Sequence, residues 1–83
     1  MLKVKAENLE LRGIANHTNK NNKTYQIVNA ETADGTAYQF YCPDVNALPQ
    51  GLKKGDAVHI IFDVKYFDRK ERLEVSKVEK VHK

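Results

Sequence analysis

Between Val58 and Tyr66 one phase of the chain is wholly apolar or aromatic, Val58, Ile60, Phe62, Val64 and Tyr66, while the other holds His59, Asp63 and Lys65 with Ile61. A period of two over nine residues is that of a strand with one buried side. No stretch of the chain sustains the 3.6-residue apolar period of a helix. The fold is therefore expected to be all-β, and the task is to find the other strands.

Leu2, Val4 and Ala6 alternate with Lys3, Lys5 and Glu7, after which the apolar phase slips to Leu9 and Leu11 ahead of Gly13. Such a slip followed by glycine marks one long, bent strand carrying a bulge. The polar run His17 to Lys23 reads as an exposed turn into a second strand marked by Tyr25, Ile27 and Val28. Asp34-Gly35 predicts a tight primed turn, and Thr36 to Cys42 alternate as a third strand. Pro43, Pro49, Gly51 and Gly55 punctuate a connector with room for one helical turn. After the strand from Val58, Asp68 to Arg72 form a charged turn, and Leu73 and Val75, then Val78 and Val81 after a change of phase, form a fifth strand. Five short strands, the first long and bent, with a short Gly/Pro-containing connector between strands 3 and 4, match a small closed barrel. An OB-like barrel is the leading candidate and an SH3-like barrel the alternative, since closure removes the free sheet edges.

At 83 residues the chain is expected to be one domain, 1–83, whose buried surface fraction is only about 60%, so that a dimer would add core. With 41% hydrophobic and 30% charged residues it is not a disordered composition. No apolar run approaches the roughly 20 residues of a membrane helix, and the alternation begins at Leu2, so a cytoplasmic location is expected. Cys42, the one cysteine, reads as a small buried hydrophobe. Fourteen basic against eleven acidic residues give +3, with basic ends and an acidic middle from residue 31 to 50. That charge permits a polyanionic partner. His17, His59, His82 and Cys42 have no metal-ligand spacing, and no phosphate loop or serine elbow occurs. Neither an enzyme nor a cofactor or metal is expected.

Four tyrosines and three phenylalanines are more rings than so small a core needs. If Val28 and Ala30 point inward, Tyr25 and Ile27 point out, and Tyr25 beside Lys20 and Lys23 either stacks a base or caps the barrel end. Phe40, having no polar atom, is placed in the core, with Tyr38 on its side near an edge and Tyr41 outside. Both tyrosines stay candidates. Tyr66 and Phe67 sit at the tip of the last hairpin, where Phe67 meets either a base or another subunit.

Several segments resemble the small single-stranded DNA-binding proteins of filamentous phages, the gene-five type. They are Met1-Leu2-Lys3-Val4, the turn into Lys23-Thr24-Tyr25, Ala37-Tyr38, Ala47-Leu48-Pro49-Gln50-Gly51-Leu52 and Val64-Lys65-Tyr66-Phe67. The resemblance spans nearly the whole chain. It implies an OB-like homodimer from a phage or mobile element, active in DNA replication, with a basic hairpin wing and a second hairpin near the dyad. On it, Tyr25 and Ile27 would contact bases, Phe67 would stack, and Lys20 and Lys23 would meet phosphates. The chain departs from that family in a wing without arginine, in Asn22 where glycine is usual, and in Asp68 in place of a glycine after Phe67.

The expected function is sequence-independent binding of single-stranded DNA, with Lys3, Lys5, Arg12, Lys20, Lys23 and Lys65 neutralising phosphates, joined by some of Lys53 and Lys54. The alternatives are a protein-interaction or virion barrel and single-stranded RNA binding, because stacking tolerates either sugar. No small-molecule substrate or membrane partner is expected.

Overall fold

The structure, a computed structural model, describes residues 2–81, apart from the side chains of Leu2, Val45 and Phe67. The reading of Phe67 as an exposed ring thus falls on a side chain outside the described residues. The chain forms β1 (Leu2–Thr18), β2 (Thr24–Glu31), β3 (Ala37–Cys42), a 3-10 turn (Val45–Ala47), β4 (Ala57–Phe67) and β5 (Lys70–Lys80). The strands close in the order β1-β2-β3-β5-β4, and β4 returns to β1. Every contact is antiparallel except that of β3 with β5, a parallel register of one pair, Tyr41 with Glu74. This is an OB-like barrel and decides against the SH3-like alternative.

β1 serves two neighbours because it bends at two bulges. Residues 2–10 pair with β4 and residues 10–18 with β2. The register slips between Ala6 and Leu9, where Asn8 takes a left-handed φ of 58° and its N–H donates to His59 Nδ1 at 3.1 Å. It slips again between Leu11 and Gly13, leaving Arg12 as the extra residue. A third slip, opposite Ile61 and Phe62, leaves Ser76 unpaired in β5. Each extra residue reverses which side of the strand faces inward. That is why Leu9 and Leu11 are buried, while Ile14, beyond Arg12, pairs with Val28 and packs against the core.

The core takes Val28 and Ala30 from β2, Phe40 and Cys42 from β3, Val58, Ile60 and Phe62 from β4, and Val75 and Val78 from β5. Fully burying each large side chain is worth about 1.5–3 kcal/mol. Phe40 and Phe62 meet at 5.1 Å with planes tilted by 56°, an aromatic geometry that adds about 0.5–1.5 kcal/mol. Leu48 and Leu52 bring the connector onto this core. The Cys42 thiol donates to the Asp44 carbonyl at 3.2 Å, and burial pushes its pKa up.

Two turns differ from expectation. The Asp34-Gly35 hairpin is not a primed two-residue turn, since Gly35 has a φ of 89° and Asp34 is not left-handed. Thr32 accepts from the Gly35 N–H at 3.0 Å, and its own N–H donates to Thr36 at 2.9 Å, giving the longer loop that closes on one left-handed glycine. The charged turn shrinks to Asp68 and Arg69, both with positive φ (48° and 64°), because Lys70 to Arg72 are already in β5.

Candidate nucleic-acid interface

Alternation on β2 and β3 turns Ile27 and Tyr41 outward as a cross-strand pair, once Val28 and Phe40 are inside. The Arg12 bulge sets the phase of β1 so that His17 stands opposite Tyr25 on the same outer side. His17 stacks on Tyr25 with centroids 5.5 Å apart and planes 15° from parallel. Tyr25 meets Tyr41 at 4.9 Å and 42°. The Arg72 guanidinium lies over the Tyr41 ring at 4.4 Å. Four side chains from β1, β2, β3 and β5 thus form one band across the barrel. Tyr25 and Tyr41 are only half-buried, but each is flanked on both sides by its neighbours. A planar ligand would therefore join the band at its ends, His17 and Arg72.

The band runs between two hairpin tips. At one end Asn19 builds the β1–β2 turn, its Oδ1 accepting from the N–H groups of Asn21 and Lys23 at 2.9 and 3.0 Å. Asn22 adopts a φ of 61°, a conformation asparagine supports with little penalty. Lys20 and Lys23 are exposed at this tip. At the other end Asp68 and Arg69 reverse the chain three residues before Arg72. Both positions where glycine would be usual in the phage proteins therefore have positive φ.

The cations divide. Lys65 binds Glu74 at 2.7 Å and Arg72 reaches the same carboxylate at 3.5 Å, so both are held beside Tyr41 by one acid. Arg12 is committed to Glu31 at 3.2 Å and Glu10 at 3.6 Å. Lys3 and Lys5 pair across β4 with Asp63 and Ile61, which puts Lys3 three strands around the barrel from Tyr41. Lys53 and Lys54 are exposed in the connector. Tyr38 sits on the inward side of β3, 6.3 Å from Phe40 and 42% exposed. There it lines an apolar cavity of about 300 Å³ with Ala6, Leu9, Thr32, Phe62 and Leu73, away from the band. Tyr66, 71% exposed, faces Glu71 across the last hairpin.

Sequence reasoning missed two members of the band. The polar run puts His17 in the turn, although β1 continues to Thr18, and the charged run puts Arg72 in a turn, although it lies in β5. Symmetry about each turn was the available signal, since the paired residues His17 and Tyr25 are equally far from the turn's centre at Asn21, as Lys65 and Arg72 are from Asp68-Arg69. Beside Arg72, where β3 and β5 part, a cavity of about 430 Å³ is lined by Ile27, Gln39, Tyr41, Glu71, Arg72 and Leu73. Among the described residues no cluster of His, Cys, Asp and Glu has the makings of a metal site.

Barrel, ring band and paired hairpin tips define the class: an OB-type fold with a grooved, aromatic outer face. The chain matches no protein-family profile and no curated protein. It is similar to the crystal structure of the mitochondrial single-stranded DNA-binding protein Rim1 from S. cerevisiae, with a TM-score of 0.73 and 18% identity over 96% of this chain and 95% of that one. At that identity the likeness is one of fold.

Proposed function

We propose that this barrel binds single-stranded DNA along the outer face of β2 and β3, without dependence on an extended sequence motif. The observation that carries the reading is the band His17, Tyr25, Tyr41 and Arg72, laid across four strands between two hairpin tips. Bases add to the band at the His17 ring and the Arg72 guanidinium, each contact worth about 1–3 kcal/mol. Lys20 and Lys23 at one tip and Lys65 near the other meet phosphates, and Ile27 gives the strand an apolar contact. The single-stranded DNA-binding function named for the yeast neighbour supports the same reading. A homodimer of the gene-five type, cytoplasmic and serving replication of a phage or mobile element, is the finer form of the proposal.

Titrating the protein with oligo-dT while following tyrosine fluorescence, at two salt concentrations, tests the binding. Affinity is expected to fall with salt at about 0.7 in log-log slope for each phosphate neutralised. Absence of quenching at low salt would falsify the proposal. Sedimentation of the free protein checks the dimer.

A further inference from the structure

The cavity where β3 and β5 separate is lined differently from the stacking band beside it. Ile27 and Leu73 are apolar, Tyr41 and Arg72 make a flat wall, and Gln39 and Glu71 supply hydrogen-bonding groups. Its volume of about 430 Å³ falls within the roughly 300–1,000 Å³ typical of small-ligand sites. It exists because one bridged pair, Tyr41 with Glu74, joins the two strands, and the chains diverge on the side of Gln39 and Glu71. Resting on the DNA-binding reading, we propose that this cavity receives one nucleobase at the Arg72 end of the band and prefers guanine.

Acceptors and donors decide the preference. A carboxylate accepts and does not donate. Guanine presents N1–H and N2–H side by side on its Watson–Crick edge, two donors that match the two oxygens of Glu71 in the bidentate manner. Thymine presents one N–H between two carbonyl oxygens, which the carboxylate repels. Adenine and cytosine each offer an amino donor next to a ring-nitrogen acceptor, and so fall between. The Gln39 carboxamide adds a donor for guanine O6 and an acceptor for an amino group. Single-stranded bases expose these edges to such reading. Other bases along the strand meet rings, cations and the apolar Ile27, none of which reads a base edge, so one favoured base anywhere in the tract suffices, because the protein is free to shift its register.

The test compares oligo-dT with the same oligomer carrying one internal guanine, adenine or cytosine, by fluorescence anisotropy on the full chain. One guanine is expected to tighten binding about tenfold over all-dT, in line with a bidentate base contact. Glu71→Gln should bring that ratio below twofold, with all-dT affinity unchanged or raised by loss of the negative charge, and an unchanged melting temperature confirms that the variant folds. Equal affinities for all four oligomers overturn the guanine subsite and leave the binding reading standing. A guanine preference that survives Glu71→Gln overturns the role given to Glu71, and no binding to any oligomer overturns both readings.

Discussion

The ring band and the lysines Lys3, Lys5 and Lys77 occupy different sides of this barrel. On the β2–β3 side the rings of His17, Tyr25 and Tyr41 touch in series, and the nearby cations Arg72 and Lys65 share Glu74. On the side where β4 lies between β1 and β5, Lys5 and Lys77 flank Ile61 as cross-strand neighbours, and all three look outward, as does Lys3 beside Asp63. The first side is built for flat ligands with charge held in fixed positions, the second for diffuse attraction. Basic ends in the sequence suggested a single track, but strand order, not position along the chain, decides which charges share a surface.

Replacing Tyr25 with alanine tests the ring side most severely. With the ring that supports His17 gone, affinity for oligo-dT should drop by about 1–3 kcal/mol, some 5- to 160-fold, with little change in melting temperature. A collapse of stability with binding intact would instead make Tyr25 a structural cap. The two sides are compared directly by two double variants. Lys20→Ala with Lys23→Ala should lower the salt slope by about 1.4, whereas Lys3→Ala with Lys5→Ala should leave it unchanged. Equal losses would show that the strand wraps onto the lysine side.

Smaller effects concern the loops. Arg69→Gly should stabilise the fold by about 1 kcal/mol, since the left-handed φ there disfavours a side chain, and denaturant unfolding would register it. Hydrogen bonds from Thr32 and Thr36 hold the Asp34 carboxyl below its ordinary range, and the Lys53 N–H together with Lys80 does the same for Asp56. Both carboxyls release protons more readily in the fold than in the unfolded chain. Their stabilisation is therefore complete above about pH 4 and fades as pH falls through the lower folded values. Melting curves of the protein and of Asp34→Asn with Asp56→Asn, taken from pH 7 to pH 2, should converge at the acid end.

The barrel was largely legible because burial writes itself into spacing. Apolar gaps that widen from two residues to three, Ala6 to Leu9 and Val75 to Val78, announced two of the bulges, and Val58 to Phe62 announced the central strand. The interface was less so. Tyr41 and Arg72 meet through the closing contact of β3 with β5, a long-range event that no local pattern encodes. Arg72 was hidden in a run of charges, and His17 in a polar stretch whose first two residues belong to the strand. The inward placing of Phe40 and outward placing of Tyr41 followed from the absence or presence of a hydroxyl, which sufficed for a short strand.

Arg12 acts as a parity element. Were Arg12 drawn into the ladder, every side chain from Gly13 to Thr18 would invert relative to β2, sending His17 toward the interior and Asn16 into the ring band's place, whereas deleting it would restore plain alternation and keep His17 opposite Tyr25. A substitution at the same position would change a charge and little else. For this barrel, then, a residue gained in β1 between Gly13 and His17 is the sharper hazard, and variation among functional copies should run through exchanges of side chain at constant length of the paired ladder.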